Sequence, residues 1–303
     1  MRHFLDIDEL TTEELEHILD LSTQPETPSP LDGKGVALLF EKPSARTRNA
    51  MEMAVVQLGG HPVYIRPDEL GLDKRESVED VTRTFACYHE ILGARVHAHS
   101  TVERMAALDV IPVVNLLSDE SHPMQALGDL LTMRGELSVL EDRTITFIGD
   151  ANNVALSLAK AAGLAGMKFR LAGPPGYTFS GEQIKEISRM GGDVEIFRSP
   201  FEAVADADVV YTDTWASMGK EDEAATRREA FQEFRVDANM MSAAGEKAIF
   251  LHCLPAKRGN EVTDEVLDGS QSRVWLQAEN RMHTARGLLA WIIEENKETG
   301  HKQ

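Results

Sequence analysis

Short apolar runs alternate with stretches of helical spacing along almost the whole chain, and that alternation restricts the fold more than any other feature. Residues 36–40, Val36-Ala37-Leu38-Leu39-Phe40, form an unbroken apolar run, as a strand buried on both faces requires. Ala50, Met51, Ala54, Val55 and Leu58 then recur at helical spacing, and Gly59-Gly60 stop that helix. The succession continues with strands expected at 62–65, 95–98 and 111–116, and helices at 76–89, 101–109 and 123–136. Alternating β and α elements predict an α/β fold, with parallel sheets covered on both faces. The pattern restarts after Glu141-Asp142, with strands at 144–148, 169–172, 194–197, 209–212, 248–251 and 274–276. Helices are expected between them at 153–164, 182–190 and 201–205, and a last one at 282–295. A first helix over 10–21 carries Thr11 and Glu14 at capping-box spacing. Residues 66–75 read as a polar loop, and the highly charged 220–234, with no clean apolar stripe, as another.

With 303 residues, and a prior of about 150 per domain, the chain is expected to form two doubly wound parallel-sheet domains. The first spans 1–134 and is completed by the C-terminal helix, 282–303; the second spans 135–281, and the helix at 123–134 bridges them. A hydrophobic content of 42% is enough for two cores. The net charge of −19 leaves no basic face and argues against nucleic acid as a partner. Eleven Lys against 20 Arg, beside 50 Asp and Glu, suggest a high-salt, halophilic cytoplasm. Two cysteines, Cys87 and Cys253, make no disulfide framework and point to a reducing compartment. The N-terminus has no signal-peptide core, and no run approaches the roughly 18 apolar residues of a membrane span. A soluble, cytoplasmic protein with no membrane partner is the expectation.

The polar constellations fall at or just beyond the carboxyl ends of the expected strands, where open α/β sheets bind ligands. Ser44-Ala45-Arg46-Thr47-Arg48 open a helix straight after a strand. Free backbone N–H groups, two hydroxyls and two guanidiniums there suit a small, doubly charged anion, a phosphate or a carboxylate. The plainer alternative is a capping serine followed by solvated arginines. His122-Pro123-Met124-Gln125 open another helix, with the imidazole and the carboxamide on one face, or with His122 merely capping. Gly149-Asp150-Ala151-Asn152-Asn153 lack the glycines of a dinucleotide fingerprint, which disfavours NAD. Asn152 and Asn153 either face a polar ligand or cap a helix. Asp213, at a strand end before Ser217-Met218-Gly219, offers a carboxylate to a cationic amine. In His252-Cys253-Leu254-Pro255 there is no second cysteine nearby for zinc. Cys253 is open to three readings: nucleophile, polar handle or buried small residue. Arg281 stands at the start of the last expected helix.

Taken together and in order, these motifs resemble the aspartate/ornithine transcarbamoylase family, on its ornithine branch, over nearly the whole chain. Ser44-Ala45-Arg46-Thr47-Arg48 is similar to the family's Ser-Thr-Arg-Thr-Arg motif, and His122-Pro123-Met124-Gln125 to His-Pro-x-Gln. Asp213 with Ser217-Met218-Gly219 resembles the ornithine-selective Asp-x-x-x-Ser-Met-Gly, and 252–255 matches His-Cys-Leu-Pro. The resemblance implies an active site in the cleft between the domains and a transfer of the carbamoyl group from carbamoyl phosphate to L-ornithine. The products would be L-citrulline and phosphate, within arginine metabolism. It implies carbamoyl-phosphate contacts from Ser44, Ala45, Arg46, Thr47, Arg95, His122, Pro123, Met124, Gln125, Cys253, Leu254 and Arg281. Asn153, Asp213, Ser217 and Met218 would hold ornithine, and Arg46, His122, Asp213 and Cys253 would be catalytic. No metal and no organic cofactor are expected, and the assembly would be a homotrimer or a multiple of one.

Two departures stand out. Ala45 replaces the usual Thr, which removes a hydroxyl but keeps the backbone N–H. The family's loop glutamine has no counterpart in 68–76, where Lys74 and Arg75 are the candidate replacements. Aspartate and putrescine carbamoyltransferases, and a non-catalytic binding protein on the same scaffold, are the alternatives considered. An aspartate enzyme should place basic groups at the second substrate, whereas Asp213 points to an amine.

Overall fold

The computed structural model describes residues 1–25, 29–216 and 221–300. The chain forms two compact units, Met1–Gly128 with Glu279–Gln303, and Asp129–Ala278. It passes from one to the other inside two helices, Pro123–Leu137 and Val274–Glu298.

The first unit is built on four parallel strands, β1 (Gly35–Phe40), β2 (His61–Ile65), β3 (Ile91–Arg95) and β4 (Val113–Leu117), in the order β2-β1-β3-β4. β1 is buried from Val36 to Phe40, which is why its sequence runs apolar rather than alternating. Ala37, Leu39, Leu92, Ala94, Val102 and Val113 share one core with Val78 and Val81 of the helix Val78–Ala86. The chain steps from β1 outward to β2 and then crosses back to β3 on the other side of β1, so the strand order reverses between β1 and β3. Such a reversal opens a crevice beyond the strands' carboxyl ends. Phe40 pairs with Arg95, so β1 and β3 end level there.

The second unit has five parallel strands, β5 (Thr144–Ile148), β6 (Lys168–Ala172), β7 (Val194–Phe197), β8 (Val209–Thr212) and β9 (Ile249–His252), in the order β7-β6-β5-β8-β9. The reversal lies between β5 and β8. Ile148 pairs with Thr212 and Thr212 with His252, so three neighbouring strands end side by side. A core of Ile148, Val210, Phe231, Phe234, Met240 and Phe250 lies on one face of this sheet.

Several expectations need correction. The strand expected at 95–98 is β3, which ends at Arg95; Gly93 had interrupted the apolar run in Ile91-Leu92-Gly93-Ala94. Residues 274–276 are not a strand but the first turn of Val274–Glu298. There Val274 and Gln277 are buried while Trp275 is 61% exposed, a helical alternation that three apolar letters cannot reveal. Within 66–75, Pro67–Leu70 form one helical turn. The charged stretch after 220 contains the helix Ala224–Ala230, flanked by 3-10 turns, with Arg227 and Phe231 turned inward. The short helices Ala238–Ala244 and Asp264–Leu267 were not anticipated. Among the described residues no helix is long and apolar enough to cross a membrane.

Candidate active site

In the first unit the side chains converge on one hydroxyl. Ser44 caps the helix Ala45–Gln57, its Oγ accepting from the Thr47 N–H at 3.4 Å. That leaves Thr47 in the first turn, 1% exposed. Its Oγ1 accepts from Arg95 Nη1 at 3.3 Å, Arg281 Nη2 at 3.2 Å and Ser44 Oγ at 3.2 Å. Two guanidiniums, both more than nine-tenths buried, thus meet at a neutral oxygen beside the positive end of a helix. An anion is the natural counter-charge for such a cluster.

Close packing sets Arg281 in position. A Cβ on Gly128 would come within 2.9 Å of Arg281 Cγ and 3.3 Å of its Cα, so only glycine lets these helices approach so nearly. His122 precedes the helix start at Pro123, and burial pushes its pKa well below 6.5, helped by Arg281 and Arg95. The imidazole is therefore neutral and can offer an N–H to an oxygen without carrying charge. Gln125 is buried and Met124 packs in the core. Ala45 is exposed and contributes only backbone. Arg48 is committed elsewhere, its Nε on Glu52 at 2.8 Å and its guanidinium over the Tyr64 ring. Arg46 is exposed and has no hydrogen bond or ion pair among the described residues, so of the two sequence candidates it is the uncommitted one.

In the second unit the level ends of β5, β8 and β9 deliver three groups to one carboxylate. Asp213 is 8% exposed. Its Oδ1 accepts from Cys253 Sγ at 3.0 Å and from the Thr214 N–H at 2.7 Å, and its Oδ2 from Asn152 Nδ2 at 2.8 Å. Asn152 also caps the helix Asn153–Leu164, accepting from Val154 N and Ala155 N. Of the two sequence readings of Asn152 the cap is the one seen, through its oxygen, while its nitrogen is spent on Asp213. Asn153 is the first helical residue and half-buried. Ser217 and Met218 lie outside the described residues.

The Cys253 loop is fixed from behind. Leu254 adopts the left-handed φ of +57°, costly for a branched residue, with its N–H donating to His252 Nδ1 at 2.9 Å. That bond leaves the ring proton on Nε2, which meets Glu261 Oε1 at 3.2 Å. Asp213, His252 and Cys253 bring ligand atoms within 4.8 Å of one another. Both nitrogens of His252 are already engaged, however, so a metal there would have to dismantle the loop. Of the three readings of Cys253, the geometry favours a polar handle on Asp213.

Sequence reasoning missed a supporting layer. Arg227, 4% exposed, donates to Asp150 Oδ2 at 2.7 Å and to the Trp215 carbonyl at 2.9 Å, tying the β5 loop to the segment beyond β8. Nothing in its charged surroundings marks it as buried. Asp129 was detectable: it follows Gln125 by four residues, a lone carboxylate among Leu127, Leu130 and Leu131.

Comparison with known proteins matches the chain to two family domains. Residues 2–135 match the carbamoyl-P binding domain of aspartate/ornithine carbamoyltransferases, and residues 141–292 match their Asp/Orn binding domain. The ornithine carbamoyltransferase of Haloquadratum walsbyi is 41% identical over 297 residues, covering 97% of this chain and 98% of that one. The solved structure of the Pyrococcus furiosus ornithine carbamoyltransferase superposes with a TM-score of 0.92 at 39% identity, covering 97% of each chain. The anabolic enzyme from Campylobacter jejuni gives 0.92 at 34% identity, covering 97% of this chain and all of that one. At these identities over nearly full length, the chain belongs to the aspartate/ornithine carbamoyltransferase family.

Proposed function

We propose that this chain transfers the carbamoyl group of carbamoyl phosphate to the side-chain amine of L-ornithine, giving L-citrulline and phosphate. The unit Met1–Gly128 with Glu279–Gln303, which holds Arg281, binds carbamoyl phosphate, and Asp129–Ala278 binds ornithine. Ser44, Ala45, Arg46, Thr47 and Arg95 hold the phosphate through hydroxyls, guanidiniums and the backbone of a helix start. His122, Gln125 and Arg281 hold the carbamoyl group, with Pro123, Met124, Cys253 and Leu254 lining it. Asn153, Asp213, Ser217 and Met218 take ornithine.

The reaction asks three things of these residues. First, the attacking amine must be neutral, although a lysine-like amine has a pKa near 10.4, leaving about one in a thousand neutral at pH 7. Asp213 orients the amine and receives its proton, with the Cys253 thiol as the neighbouring relay. Second, the carbonyl oxygen gains negative charge as the amine adds. Arg281 and the neutral His122 donate to it, and such preorganised donors are worth most where water is excluded. Third, the phosphate leaves as an anion, held by Arg46, Thr47, Arg95 and the helix dipole. Both substrates held in line add an orientation term. Phosphate is a good leaving group and the charges are met by arginines, so the chemistry requires no metal and no organic cofactor.

The Asp213 carboxylate carries the choice of ornithine over aspartate. It is acidic, buried and fixed from three sides, so it attracts a cation and repels a second carboxylate. The working assembly in this reading is a trimer or a multiple of it, in the cytoplasm. The test is citrulline formation measured with ornithine, and carbamoyl transfer measured with putrescine and aspartate, at low and high salt. Ornithine should be preferred by orders of magnitude; preference for either rival amine would overturn the assignment.

A further inference from the structure

We propose that Gln277 is a positioning residue for the Asp213–Cys253 pair, acting with Asp129 and Tyr211 by tying the ends of β8 and β9 together. The inference rests on the reading of that pair as the amine site. Gln277 stands on the helix Val274–Glu298 with its side chain 1% exposed. Its Oε1 accepts from the backbone N–H of His252 at 2.9 Å, at the last residue of β9 and one before Cys253. Its Nε2 donates to the Tyr211 hydroxyl at 3.1 Å, on β8 and two residues before Asp213. The same Nε2 donates to Asp129 Oδ1 at 2.7 Å.

β8 and β9 pair as far as Thr212 and His252, and the sheet register goes no further. Just beyond that pair, Cys253 Sγ on Asp213 Oδ1 joins the two strand ends. A single carboxamide therefore bridges both strands immediately behind the reacting groups. Its orientation is forced. A flipped amide would set its NH2 against the His252 N–H and its oxygen against the Asp129 carboxylate. Tyr211 and Asp129 are fully buried, and the Tyr211 hydroxyl also bonds Asp129. Burying a carboxylate in this way is a poor route to stability, since desolvation offsets most of the gain. What a bonded buried network contributes is one fixed geometry. Phe147 stacks on the Tyr211 ring with centroids 5.3 Å apart and holds the hydroxyl in place.

The test uses the full-length enzyme carrying Cys87→Ser, which leaves Cys253 as the sole thiol; Cys87 is exposed and outside the site. Gln277→Leu should lower kcat with ornithine by about 10²-fold, the cost typical of displacing a reacting group by about 1 Å. It should leave carbamoyl-phosphate affinity, read by calorimetry, unchanged. The rate of Cys253 alkylation by iodoacetamide should shift with it. Gln277→Glu keeps the acceptor for His252 N–H but must hold a proton to face Asp129. Its kcat should therefore be rescued in acid and fall as pH rises, giving a limb that the parent lacks. Asp129, Tyr211, Asp213, His252, Cys253 and, behind His252, Glu261 are the titratable groups around it, and all are present in both proteins. If Gln277→Leu folds poorly, the pH rescue in Gln277→Glu decides alone. A lower melting temperature with unchanged kcat, unchanged alkylation and no new limb would make the network merely structural and overturn the inference. Asp213→Asn run in parallel separates the two readings. If it is crippled while Gln277→Leu is normal, only the positioning role falls; if it is normal, the amine site falls with it.

Discussion

Replacing Asp213 by Asn keeps the volume of the side chain and removes its charge, and the surrounding hydrogen bonds set the cost. Three donors converge on two carboxylate oxygens: Cys253 Sγ and Thr214 N on Oδ1, Asn152 Nδ2 on Oδ2. An asparagine has one acceptor oxygen. If that oxygen stays with Cys253 and Thr214, the new NH2 faces the Asn152 NH2. Relief would require Asn152 to flip, which would take its oxygen from Val154 N and Ala155 N and uncap the helix Asn153–Leu164. Losing a cap costs about 1 kcal/mol, and orphaning a buried donor about 1–3 kcal/mol, so a modest loss of stability is expected. The functional loss is larger. A hydrogen bond to a charged group contributes about 1.5–3 kcal/mol, or roughly 10- to 150-fold in kcat/KM for ornithine at 1.4 kcal/mol per tenfold. Loss of the proton acceptor adds a further factor of about 10²–10⁴ in kcat. Carbamoyl phosphate, whose phosphate is gripped by the other unit, should bind nearly as before. The assays are citrulline formation for turnover and calorimetry for carbamoyl-phosphate binding. Ornithine turnover within about threefold of wild type would refute the argument, because no arrangement of one oxygen replaces the carboxylate's three contacts and its charge.

Three other outcomes are expected. Arg46→Ala should lose about 10²–10³-fold in kcat/KM for carbamoyl phosphate, the usual cost of one transition-state donor. Its melting temperature should not move, because Arg46 is exposed and makes no bond within the described residues; a large stability loss would show a structural arginine instead. His122 has its folded pKa held well below 6.5, so its contribution to stability is complete above the unfolded value and is lost as pH falls through the window beneath it. Urea unfolding of wild type and His122→Asn between about pH 5 and pH 7 should differ in slope by at most about 1.4 kcal/mol per pH unit, with the wild type steeper; parallel slopes would mean that His122 is charged in the fold. A net charge of −19 repels itself in dilute buffer and is screened over about 3 Å at 1 M salt. Activity and melting temperature should both rise with salt, and full activity with an unchanged melting temperature in dilute buffer would count against a halophilic design.

Much of this architecture can be read without coordinates because the governing forces are local. An apolar run such as Val36 to Phe40 has one favourable fate, a strand covered on both faces, and a serine before a helical repeat, as at Ser44, caps it. Thr11 with Glu14 closes the capping box that its spacing predicts. A succession of such units makes a parallel sheet, and the ends of its strands are where Ser44, Asp213 and Cys253 had to lie. Local rules fail where the partner is distant in sequence. Residues 274–276 look like a strand because three apolar letters carry no period, and the buried Gln277 beside them declares the helix only once Asp129, Tyr211 and His252 surround it. Arg227 is indistinguishable in sequence from a solvated arginine, and becomes a buried tie when Asp150, 77 residues away, meets it. The motifs named Thr47 as one phosphate contact among several. That two buried guanidiniums, from β3 and from a helix residue 234 positions after Thr47, meet on its hydroxyl was decided by the sheet register and by Gly128. The sequence by itself determined the elements and the chemistry of the groups at their ends, because hydration and short-range hydrogen bonding act within a few residues. Only the tertiary structure decided which charges are buried, which arginine stays uncommitted and which carboxamide bridges two strands, because desolvation depends on neighbours that the chain supplies from far away.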